Sequence, residues 1–115
     1  MAYYLLQTAY TPQGWAAMLR HPHDRLEAIR PAVQRLGGRI LSGWLTFGEY
    51  DALLVCELPD NTSAAALSMA VSAGGAVRST KTTALLTFEE GVAALRKATD
   101  VHYTPPPSEV PYFGA

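Results

Sequence analysis

The sequence predicts an α+β fold, a four-stranded antiparallel sheet with its two main helices on one face. Three observations carry that reading. Apolar runs and helical patterns alternate as strand, helix, strand, strand, helix, strand, the split βαβ order. Glycine-centred breaks at Gly37-Gly38, Gly48-Glu49 and Gly74-Gly75 separate the segments. The chain has 115 residues and 49% hydrophobic content, which suits one domain with an ample core.

Tyr3 to Tyr10 is aromatic and apolar on both parities, as expected of a strand covered on both sides. Thr11 and Pro12 end it and open a short helix through Met18-Leu19, with Thr11 as cap and Pro12 in the first turn. His21-Pro22-His23 breaks that pattern. Asp24 with Glu27 reads as a capping box, followed by Leu26, Ile29, Val33 and Leu36 along one helical face. Pro31 falls inside this helix and predicts a kink, because proline removes a hydrogen bond and crowds the preceding turn. Gly37-Gly38 stops the helix.

Arg39 to Phe47 and Tyr50 to Leu58 read as a hairpin, with Gly48-Glu49 as a type II′ turn. A symmetric two-residue turn sets partners that place Thr46 opposite Asp51, Trp44 opposite Leu53 and Ile40 opposite Glu57. Asp60 caps the next helix, whose Ala64, Ala65, Ala66 and Ala70 permit close approach to a sheet. Val77 to Phe88 reads as a long fourth strand rich in β-branched threonine, and Glu89 to Ala98 as a short final helix. The domain is expected over residues 1–99. Residues 100–115 form a proline-rich extended tail whose Tyr112 and Phe113 are expected to dock on a neighbouring subunit.

Composition excludes several classes. Formal net charge is −1 and the nine Lys and Arg residues are scattered, so no nucleic-acid footprint is present. The lone Cys56 sits in an apolar strand, which rules out an intrachain disulfide and reads as a buried core thiol. No apolar segment approaches a membrane span, and the N-terminus lacks a charged leader, so the expected compartment is the cytoplasm. No phosphate loop or nucleophilic triad is legible.

The candidate site residues come from the hairpin. Asp51, Trp44 and Glu57 share one sheet face, two carboxylates flanking an indole on an otherwise apolar surface, as in a small pocket with polar anchors. Asp51 is the candidate base or anchor; the alternative is a carboxylate bonded to the turn backbone. Glu57 is either a second anchor or a solvated strand end. Tyr50 is a core aromatic or a donor to a ligand, and Arg25 meets an acidic ligand, or Asp51, or solvent. His21, His23, Asp24 and His102 match no strong zinc spacing, so neither metal nor cofactor is expected. Both parities of the strand from Tyr50 to Cys56 are apolar, which calls for a cover on the sheet face away from the helices. A second copy across a two-fold axis is the simplest one.

Gly48-Glu49-Tyr50-Asp51, Thr11-Pro12-Gln13-Gly14, Pro22-His23-Asp24-Arg25, Glu57-Leu58-Pro59-Asp60 and the stretch from Gly74 to Thr80 occur in an order and spacing that resemble the GYD-domain family. These are small bacterial proteins named for a Gly-x-Tyr-Asp turn. The resemblance covers roughly residues 3–90. It departs at Pro31 and in the extension over 100–115. It implies a ferredoxin-like sandwich of the dimeric α/β-barrel type without an established activity. One function class follows from the candidate site residues, one from the resemblance, and a third is pure structural assembly. The first is binding of a small apolar or aromatic molecule near the Gly48–Asp51 hairpin. The second is a cofactor-independent enzyme of oxygenase, isomerase or cyclase type with Asp51 as base.

Overall fold

The structure, a computed structural model, describes residues 1–108. Two compact units appear, Met1–Leu85 and the segment from Leu86 onward. In the first, β1 (Ala2–Tyr10), α1 (Pro12–Arg20), α2 (Arg25–Arg35), β2 (Arg39–Leu45), β3 (Ala52–Leu58), α3 (Asn61–Ala73) and β4 (Val77–Leu85) follow in order. The second carries α4 (Phe88–Ala98). The sheet runs β2-β3-β1-β4 with every pairing antiparallel, a ferredoxin-like fold.

Local chemistry sets the element ends. Thr11 accepts the Gly14 N–H at 3.0 Å, and Asp60 accepts the Ser63 N–H at 2.9 Å, so α1 and α3 begin where a side chain satisfies their first free donors. Asp24 caps α2 through the N–H groups of Leu26 and Glu27. The expected capping box is only half formed, because the Glu27 carboxylate binds Arg30 at 2.8 Å and does not return to the cap. α2 continues through Pro31 as one element. The fourth strand ends at Leu85, short of the expected Phe88. Thr87 and Glu90 form a full capping box that starts α4, and Thr87 serves the helix instead of the strand.

Tyr4, Leu6, Leu54, Cys56 and Leu58 of the sheet pack against Val33 of α2 and Ala64 and Leu67 of α3. Gly38 permits this closure, since a Cβ there would lie 2.1 Å from the Glu57 carbonyl oxygen. Cys56 is fully buried, and burial pushes its thiol up to about 11, as befits a core sulfhydryl. The opposite sheet face carries Leu5, Leu53, Val55 and Trp44 in adjacent registers. Residues 109–115, including Tyr112 and Phe113, lie outside the described residues, and so does their expected docking. Among the described residues no helix is long and apolar enough to cross a membrane.

Candidate functional site

The hairpin differs from its sequence reading in two ways. Trp44 does pair with Leu53, but β2 bulges between Ile40 and Ser42, so Glu57 faces Arg39 instead of Ile40. Ile40 pairs with Cys56 and packs on the core. The turn is also wider than two residues. Thr46 N–H donates to the Asp51 carbonyl at 2.8 Å, and the Thr46 hydroxyl donates to the Tyr50 carbonyl at 2.6 Å, leaving residues 47–50 as the loop. Its Gly48 has φ +146°, a value that favours glycine.

Asp51 widens the turn because β1 claims it. Its N–H donates to the Thr8 carbonyl, and its carboxylate accepts the Tyr10 N–H, each at 2.8 Å. The β1–β3 ladder ends at the Thr8–Ala52 pair, and Asp51 takes the Tyr10 N–H just beyond it. Glu57, the second carboxylate, forms an ion pair with Arg39 at 2.8 Å. The Arg39 hydrogen bond, joined by one from Tyr3, holds the Glu57 carboxyl below the usual carboxylate range.

A cleft of about 870 Å³ opens on the helix side of the sheet, lined by residues of α1, α2, α3 and the strands. Pockets that hold small molecules run from about 300 to about 1,000 Å³. Small residues leave room along it: Ala28 and Ala32 on α2, Ala70 on α3 with Gly74 at its C-terminal cap, and Gly43 and Ala52 on the sheet. Gly43 lets α2 sit close to β2, since a Cβ there would lie 2.6 Å from Leu26 Cδ1. The walls are apolar: Tyr10 and Trp15 meet edge to face at 5.2 Å, and Met18, Leu26, Ile29 and Val71 complete them. His23, Asp24 and Arg25, all exposed, supply its charged and imidazole groups. His23 Nδ1 lies 2.7 Å from the His21 carbonyl oxygen and its Nε2 3.1 Å from Arg25 Nη1.

Of the residues singled out from sequence, Arg25 lines the cleft and Trp44 borders it from β2, although its register with Leu53 sets its side chain on the other sheet face, whereas Asp51, Tyr50 and Glu57 are not among the lining residues. Asp51 touches it at one remove, through Tyr10. Tyr10 and Ile29 read from sequence as residues of a covered strand and an apolar helical face. Their helical and strand periodicity marks an apolar face without telling whether that face is filled. No group of three His, Cys, Asp or Glu residues suited to a metal ion occurs among the described residues.

A ferredoxin-like unit with a helix-side apolar cleft is thus the class that fold and geometry define. The GYD domain model matches residues 4–95, and the chain belongs to that family. No curated protein and no solved structure matches it.

Proposed function

We propose that this chain binds a small, mainly apolar or aromatic molecule, and that the cleft between α1, α2, α3 and the sheet is where it binds. The observation that carries the reading is an apolar cleft of about 870 Å³ in a unit whose neighbouring core is closed. Asp51 serves this site as a positioning residue: by holding the Tyr10 N–H it sets the ring that walls the cleft. The test is a titration with N-phenyl-1-naphthylamine, whose fluorescence rises in apolar surroundings. The wild-type chain is expected to bind it, and Ala32→Phe, which fills the cleft, to lose tenfold or more in affinity while staying folded. Equal binding by both chains contradicts the reading.

The sheet face opposite the helices supports a second element of the proposal, self-association. Leu5, Leu53 and Val55 form its middle, with Gln7, Lys81 and Thr83 to one side, so a two-fold stack sets apolar on apolar with polar groups at the rim. Sedimentation at micromolar concentration checks it. A monomer there removes this element and leaves the cleft untouched.

A further inference from the structure

We infer that the ligand of the cleft is an uncharged aromatic molecule bearing an oxygen, of the phenol class, anchored by the hydroxyls of Thr8 and Tyr10. The inference rests on the binding reading above and narrows it. Both residues lie on β1 and line the cleft; Thr8 is 8% exposed and Tyr10 7%. Neither hydroxyl forms a hydrogen bond with another described residue, although the backbone groups of both residues are engaged by Asp51. Buried tyrosine hydroxyls ordinarily find a protein partner, whereas these two are left to whatever occupies the cleft. The same strand shows the ordinary case: Tyr4, 3% exposed, donates to Asn61 Oδ1 at 2.6 Å.

Among the described residues no side-chain nitrogen or oxygen sealed from its surroundings lacks a partner, so the Thr8 and Tyr10 oxygens remain reachable. The space that both residues line is the cleft. Both residues stand on β1 and open on that one space. A phenol uses both, accepting from one hydroxyl and donating to the other. Charge is not called for at this depth, because the ionic groups lining the cleft, Asp24 and Arg25, are exposed. The aromatic pair Tyr10–Trp15 offers the ring a matching wall.

The test compares 1-naphthol with naphthalene, two probes of nearly one shape, by calorimetric titration of the full chain. The wild type is expected to prefer 1-naphthol by at least tenfold. Thr8→Val and Tyr10→Phe each cut that preference three- to tenfold, bind naphthalene unchanged, and melt without ligand at or above the wild-type temperature. A preference that survives both substitutions overturns the anchoring role and leaves the apolar cleft standing. Tighter binding of 1-naphthoate than of 1-naphthol also overturns it, in favour of a charged ligand at Arg25. If neither naphthalene nor 1-naphthol binds the wild type, the cleft reading falls and this inference falls with it.

Discussion

The two ends of the helix–sheet interface make opposite use of similar residues. At one end Tyr4, Cys56, Leu58 and Val33 close against one another, none more than 3% exposed, and the Tyr4 hydroxyl is satisfied by Asn61. At the other end Tyr10 meets Trp15 edge to face in the wall of a cleft, and the Tyr10 hydroxyl has no described partner. Both tyrosines sit on β1 and face the helices. What differs is the helix surface opposite: Val33 and Leu36 pack on the cluster, whereas Ala28, Ala70 and Gly74 line the cleft. Small side chains at a helix–sheet contact leave volume when the helices are held by their outer neighbours, here α2 by β2 and α3 by β4.

Substitutions at the two ends should therefore behave differently. Leu58→Ala empties a site that is 1% exposed and is expected to cost about 2–5 kcal/mol, read as a lower midpoint in urea. Met18→Ala, in the half-buried wall of the cleft, should cost less than about 1 kcal/mol, since its site is already partly open. Equal losses would erase the distinction between the ends.

Asp51→Ala comes next, at about 1–3 kcal/mol, because it leaves the Tyr10 N–H without its acceptor. It should also weaken N-phenyl-1-naphthylamine binding by loosening Tyr10. Asp51→Asn keeps an acceptor in place and should retain affinity within about threefold, equivalent to about 0.7 kcal/mol. A tenfold loss in the folded Asn variant would instead assign the charge itself to the ligand.

Ala70→Phe sharpens the comparison from the ligand side. Filling the cleft should shift stability by less than about 1 kcal/mol, yet reduce probe affinity by tenfold or more. Such a split between stability and binding is not expected from any substitution at the packed end.

The smallest effect belongs to the pair of exposed Arg39 and half-buried Glu57. Because the folded Glu57 carboxyl lies below its ordinary value, the pair stabilises the chain above about pH 4.5 and its contribution fades as pH falls through the lowered folded value. Arg39→Gln should flatten that acid limb slightly, and high salt should mask the difference.

The element order and most strand and helix positions were legible in the sequence, because alternation, caps and glycine breaks are local signals. The Trp44–Leu53 pairing followed from the same local arithmetic. What escaped was set at a distance. The bulge between Ile40 and Ser42 moved Glu57 from Ile40 to Arg39, and a backbone donor on β1, forty-one positions away, drew Asp51 out of a two-residue turn. Thr87 carried two local meanings, strand former and helix cap, and the capping box with Glu90 decided between them. The cleft was not legible at all. Tyr10 and Ile29 show the periodicity of a core, and whether a core closes depends on volumes contributed by residues far apart in sequence.

The two isoleucines offer the reporters: both pack on the closed cluster, but Ile29 also lines the cleft, whereas Ile40 lies beside Cys56 away from it. Selective methyl labelling gives one signal from each, followed by NMR as 1-naphthol is added. The account predicts a saturable shift of the Ile29 methyl with the Ile40 methyl unmoved, and loss of that shift in Ala32→Phe. Movement of Ile40 alone, or of neither methyl at millimolar probe, would contradict the assignment of the open end as a binding site.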